Sequence, residues 1–262
     1  MKLMIPMPKE EDETELVREL KLVPGLKLKL DEPLARHTTM KIGGPADYFL
    51  DAETSAALGA TLRALSRHHV SFFIIGKGSN ALASDLGARG AVIRLGGEFK
   101  RVAWREEGND ARVEVGAASA VTQLVREAAR RGYAGLEFAE GIPGSVGGAL
   151  FMNAGAYGSE MEKIVERVEG VAADGKAVGF RRDEMIFSYR DSHLPPGTIV
   201  TVVHMRLQKR DAAEVGAKVR ELVSRRKRSQ PAGYPNSGSM LDRKSTRLNS
   251  SHIQKSRMPS SA

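Results

Sequence analysis

Six glycines fall within twenty residues of this chain: Gly141, Gly144, Gly147, Gly148, Gly155 and Gly158, in AEGIPGSVGGALFMNAGAYG. No other feature restricts the fold as tightly. Glycine loses more freedom on folding than any other residue, roughly 0.5–1 kcal/mol relative to alanine in a regular element. So dense a run belongs where backbone must come close to something. Two partners satisfy that: a bound group whose outline the loop follows, with a pyrophosphate as a natural fit, or neighbouring backbone packed at a domain seam.

A shorter loop, Gly76-Lys77-Gly78-Ser79-Asn80, follows the apolar run FFII. Glycines after a strand let backbone N–H groups approach a phosphate without a Cβ in the way. No Ser or Thr follows the Gly-Lys pair, so this is not a Walker A loop, and the spacing is not GxGxxG. Taken alone, it reads more naturally as a tight turn.

Around these loops short strands and helices alternate. Residues 10–20 predict a short helix, acidic in its first turn as the macrodipole favours. Ala46–Leu50 predicts a strand. A helix capped by Thr54 follows, with Leu58, Leu62 and Leu65 on one face, and then a fully buried strand over Phe72–Gly76; together they make a βαβ-like unit. AVIRL, FKRVAWRE and ARVEVGA predict strands, and Trp104 is expected in the core. Ser119 is expected to cap a helix carrying Val121, Leu124, Val125 and Ala128 on its apolar face. IVERVEGVAADGKAVGF predicts two strands about an Asp174–Gly175 turn, GTIVTVVHMRLQ a buried strand, and residues 211–228 a helix with Val215, Val219, Leu222 and Val223 inward. The sum is an α+β protein in two or three subdomains.

Net charge is +8, but half of the excess lies in Asp242–Ala262, and aromatics are only 5% of the chain, mostly in strands. A base-stacking nucleic-acid surface is therefore not expected. No apolar run is long enough to span a bilayer, and the proline-broken, acidic N-terminus is no signal peptide. The absence of cysteine excludes a disulfide framework and fits a cytoplasmic protein. Six histidines without metal-ligand spacing predict no metal site.

HTTMKIGGPADYF, IIGKGSN, EGIPGSVGGALFMNAGAYG, FSYRDS and RRKRSQPAGYPNSGSM occur in this order between Leu34 and Met240. Together they resemble the UDP-N-acetylenolpyruvoylglucosamine reductase family, in its shorter subtype. The resemblance implies a two-subdomain FAD-binding fold of the vanillyl-alcohol-oxidase type, with subdomains over 26–97 and 98–207. A lead-in would occupy 1–25, and the start of an α+β substrate-binding domain 208–241. It further implies NADPH and FAD as cofactors, a UDP-sugar as substrate, and a monomer. The reaction would reduce UDP-N-acetylglucosamine enolpyruvate to UDP-N-acetylmuramate for peptidoglycan. An FAD-linked oxidase or dehydrogenase of the same fold and a flavin-binding fragment without activity are the alternatives.

Reduction of an enolpyruvyl ether is a conjugate addition: charge builds on the α-carbon and carboxylate, so the site needs a fixed cation and a proton donor. The resemblance assigns these roles to Arg190 and Ser239. Without it, Arg190 reads as an ion-pair partner of Asp191, and Ser239 as a turn serine. FAD binding is implied for Lys41 (more often Arg in the family), Gly76, Lys77, Gly78, Ser79 and Asn80. In the second loop it is implied for Gly141, Ile142, Pro143, Gly144, Ser145, Gly147, Gly148, Asn153, Ala154 and Gly155. Substrate contacts are implied for Tyr189, Arg226, Gln230 and Asn236. SRRKRSQP reads equally as a diphosphate clamp or as a solvated basic helix end.

From Asp242 apolar periodicity stops, and six of the last 21 residues are serine. DRKSTRLNSSH reads as a translated short-read sequencing adapter, SRMPSSA as its far end, and IQK as an index between them. Asp242–Ala262 is therefore expected not to be biological protein. The family's C-terminal glutamate has no counterpart here, so turnover by this chain is expected to be negligible.

Overall fold

The structure is a computed structural model and describes residues 14–229. Two sheets share one core. The smaller holds β1 (Leu26–Pro33), β2 (Pro45–Ala52), β3 (Phe72–Ile75) and β4 (Ala88–Leu95) in the order β1-β2-β4-β3. Strands β2, β4 and β3 run parallel, and β1 is antiparallel to β2. The larger sheet is antiparallel, in the order β11 (Ala177–Arg181), β10 (Val165–Val171), β12 (Ile199–Lys209), β6 (Asp110–Gly116), β5 (Val102–Glu107). The short β7 (Tyr133–Ala134) also pairs with β12. A ribbon of β8 (Gly155–Ala156) and β9 (Ser159–Glu160) stands apart from both sheets.

The five helices described are α1 (Glu15–Lys21), α2 (Ser55–Arg67), α3 (Val121–Arg131), α4 (Val146–Phe151) and α5 (Ala212–Ser229). Thr14 and Thr54 cap α1 and α2, the latter accepting from the Ala57 N–H at 3.1 Å. Helix α2 links β2 to β3, with β4 lying between those two strands. Its Leu58, Leu62 and Leu65 are fully buried, as the helical spacing requires. They share one cluster with Leu50 and Ile93 of the small sheet and with Val113, Val168 and Val203 of the large one. A second cluster, Leu34, Ala46, Phe49, Ile75 and Val92, is formed by the small sheet with the segment after β1. Val215, Val219 and Leu222 of α5 are buried, and the first two belong to the main cluster. As far as Ser229, then, the segment 208–241 packs on α3 and the residues around β7.

Three expectations need correction. Strand β3 is not fully buried: Phe73 and Ile74 are exposed because β3 is an edge strand with one neighbour among the described residues, which residue composition does not reveal. Ser119 does not cap α3. Ala120 occupies that position without a side-chain hydrogen bond, because the Gly144–Val146 segment pairs with this stretch of backbone. Trp104 is only partly buried, stacked on Tyr133 with centroids 5.7 Å apart and covered by the Arg131 guanidinium.

Candidate functional site

The two glycine loops, far apart in sequence, touch. The Ser79 hydroxyl donates to the Pro143 carbonyl at 2.9 Å. A Cβ built on Gly144 would lie 3.2 Å from Ser79 Oγ, and one on Gly76 only 2.5 Å from Ser145 Oγ. Ser145 caps α4, its Oγ accepting from the Gly148 N–H at 3.4 Å. The second loop is pinned from behind: Val121 N–H donates to Gly144, Val146 N–H to Ser119 and Gly147 N–H to Ala117, each at the carbonyl.

Gly78 has φ +63°, and a Cβ there would sit 1.9 Å from the His37 carbonyl oxygen, so glycine is required. Its own carbonyl accepts from Thr39 N–H at 3.0 Å, joining the loop to the HTTMK turn that carries Lys41. Below this turn the His37 ring stacks on Phe49 at 4.0 Å and bridges Glu32 (2.9 Å) to Arg94 (3.1 Å). The hydrogen bond from His37 holds the Glu32 carboxyl below its ordinary range, helped by Lys29 and Arg36.

Close packing, one of the two partners foreseen for the glycines, is present, and donors that suit the other remain. Backbone packs against Gly78 and the Ala117 side chain against Gly147, whereas the backbone N–H groups of Lys77, Gly78 and Ser79 donate to nothing among the described residues. Three successive uncommitted donors beside a touching glycine loop suit a diphosphate. The residues present fit the phosphates of FAD.

Past α4 the chain turns at Asn153, which is fully buried with φ +37°. Its Oδ1 accepts from Glu162 N–H at 3.0 Å, and its Nδ2 donates to the Ser188 carbonyl at 3.1 Å. Asn153 thus ties the NAG turn to FSYRDS. There Arg190, φ +61°, donates from Nη2 to the Gly155 carbonyl at 2.9 Å and lies over the exposed Tyr189 ring. The Asp191 carboxylate instead accepts from His193 N–H at 2.8 Å, so the ion pair with Arg190 does not form. One of the guanidinium's five N–H donors is committed to the loop. Arg226 of α5 lies against the second loop, its Cδ 2.6 Å from a Cβ built on Gly141. Ile142 N–H and Ala154 N–H donate to the Ala139 and Ala149 carbonyls.

The structure thus brings together Lys41, both glycine loops, Asn153, Gly155, Tyr189, Arg190 and Arg226. Ser239, Gln230, Asn236 and the run Asp242–Ala262 lie outside the described residues. Two features were not anticipated. Glu140, at the start of the second loop, is 2% exposed, with Oε1 accepting from Arg126 and Oε2 buried without a partner among the described residues. His193 hydrogen-bonds Ser188 at 2.7 Å beside the Arg190 turn. The only hint of the latter is that His193 ends the polar run FSYRDSH. Among the described residues no group of three or more His, Asp or Glu could hold a metal ion, and no helix is long and apolar enough to cross a membrane.

The class follows from fold and loops. Residues 46–181 match the family described as FAD binding domain. A solvent-stable cholesterol oxidase, 13% identical, shares the fold with a TM-score of 0.55 over 70% of this chain and 38% of its own. The chain is a flavin-dependent oxidoreductase.

Nearer relatives narrow this. UDP-N-acetylenolpyruvoylglucosamine reductase 2 of Symbiobacterium thermophilum is 40% identical over 219 residues, 83% of this chain and 70% of that protein. The crystal structure of the Thermus caldophilus UDP-N-acetylenolpyruvylglucosamine reductase is 35% identical with a TM-score of 0.70, covering 83% of this chain and 75% of that one. The chain belongs to the UDP-N-acetylenolpyruvoylglucosamine reductase family, whose reaction serves peptidoglycan synthesis.

Proposed function

We propose that this site serves the NADPH-dependent reduction of UDP-N-acetylglucosamine enolpyruvate to UDP-N-acetylmuramate. NADPH supplies a hydride, two electrons with one proton, and solvent supplies the second proton; the enolpyruvyl C=C is reduced to a lactyl ether, and NADP⁺ leaves. Bound FAD would relay the electron pair between the two substrates.

The observation that carries this reading is Arg190, held by one N–H on the rim of the glycine loops with its remaining donors uncommitted among the described residues. A guanidinium forks onto both oxygens of a carboxylate and stays charged, so it stabilises the charge that develops there. The loops would hold the diphosphate of FAD through the Lys77–Ser79 backbone, with Lys41 adding charge nearby. Arg226, which lies beside Gly141 and so next to the cofactor loop, would meet the diphosphate of the UDP-sugar. Tyr189 would flank the substrate. Proton delivery to the α-carbon is assigned to Ser239, and Gln230 and Asn236 to substrate contact; all three assignments rest on the family resemblance.

The test is flavin absorbance. The chain purified with FAD should bleach on anaerobic addition of NADPH. In its oxidised form it should shift saturably with the enolpyruvyl UDP-sugar, and more weakly with UDP-N-acetylglucosamine. Failure to retain flavin, or equal responses to the two sugars, contradicts the proposal.

A further inference from the structure

The turn that presents Arg190 carries unusual strain and an unusual brace. Ser188 and Asp191 exchange backbone hydrogen bonds, 2.9 and 3.2 Å, leaving Tyr189 and Arg190 at the tip. Arg190 and His193 both have positive φ, +61° and +43°. Left-handed backbone is strained for a residue with a Cβ, so something must hold this turn. Ser192 anchors it to the C-terminal end of α4, its N–H and hydroxyl both meeting the Phe151 carbonyl. Asn153 holds the Ser188 carbonyl.

The remaining brace is His193. Its Nε2 lies 2.7 Å from Ser188 Oγ, its N–H donates to the Asp191 carboxylate, and its Nδ1 is 3.9 Å from that carboxylate. The imidazole thus spans the base of the turn, touching both residues that flank the tip. It makes no hydrogen bond or ring contact with Arg190 itself among the described residues.

We infer that His193 is a positioning residue for Arg190: through Ser188 and Asp191 it fixes the turn so that the guanidinium meets the substrate carboxylate. This rests on the proposed role of Arg190. A Ser-His-Asp arrangement could instead suggest a nucleophile, but all three residues are exposed. Exposed groups are poorly shielded from water, and a nucleophilic site gains from exclusion of water.

The experiment compares affinities of the FAD-loaded full chain for the enolpyruvyl UDP-sugar and for UDP-N-acetylglucosamine, which lacks the carboxylate; their ratio reports Arg190. His193→Ala and Ser188→Ala should each lower that ratio about tenfold, most of one charge-assisted contact, with affinity for the parent sugar and the flavin spectrum unchanged. His193→Gln, which can still reach Ser188, should restore most of it. Arg190→Met should remove the preference entirely. If Arg190→Met abolishes the preference while His193→Ala leaves it intact, this inference is wrong and the role of Arg190 stands. A parent chain without preference, or an Arg190→Met variant that keeps it, overturns both. Loss of flavin or of parent-sugar affinity in His193→Ala, unrescued by glutamine, also overturns it, marking His193 as a general structural residue.

Discussion

Replacing Gly78 by alanine tests whether the first loop is shaped by close approach, and Gly108→Ala supplies the reference. Both glycines have nearly the same φ, +63° and +60°, but a Cβ on Gly108 meets nothing within 4 Å among the described residues. Gly108→Ala should therefore cost only the left-handed strain, about 1–2 kcal/mol. At Gly78 the new methyl would lie 1.9 Å from the His37 carbonyl oxygen and 2.8 Å from Thr38 Cα, both backbone atoms. Loop and turn must separate by more than about 1 Å, an overpacking cost of roughly 1–3 kcal/mol added to the same strain. That movement also pulls on the Thr39–Gly78 hydrogen bond and displaces the uncommitted N–H groups. Urea unfolding, followed through the fluorescence of Trp104, gives the two stability losses. Absorbance after gel filtration gives the flavin retained. Gly78→Ala should lose about 2–5 kcal/mol and shed flavin, whereas Gly108→Ala should keep its flavin. Equal losses, with flavin kept by both, would refute the reasoning.

Other expectations follow from single contacts. Asn153→Ala removes two hydrogen bonds from a fully buried position and leaves the Glu162 N–H and the Ser188 carbonyl without their partner, so a loss of about 3–5 kcal/mol in urea unfolding is expected. Thr54→Ala should cost about 1 kcal/mol by uncapping α2, without affecting flavin content. Glu32, depressed chiefly by His37, stabilises the fold fully above its ordinary pKa of 4.5, and this contribution is lost as pH falls through the lower folded value. Glu32→Gln should therefore flatten the acid limb of a stability–pH curve while leaving its slope near neutrality alone.

Much of this architecture is legible because periodicity reports local burial. Leu58, Leu62 and Leu65 mark the inner face of α2, and the Val-rich run from Ile199 marks the central strand of the large sheet. The exposure of Phe73 and Ile74 was not legible, since an edge position depends on which strand pairs where. Ser119 misled for a related reason: its neighbourhood is fixed by a loop some twenty-five residues later in the chain. In the site, the glycines stood out by density alone, and Arg190 through its motif. Asn153, Ser188 and His193 form a brace that only tertiary contacts reveal. Glu140 is also invisible in sequence, being a carboxylate buried beside a glycine loop.

The most direct measurement is a crystal structure of the flavin-loaded chain with the enolpyruvyl UDP-sugar. The cofactor diphosphate should lie between Lys77–Ser79 and Gly144–Ser145, with Arg190 forked onto the carboxylate. A ligand carboxylate bound away from Arg190, or a diphosphate outside the two glycine loops, would contradict the account.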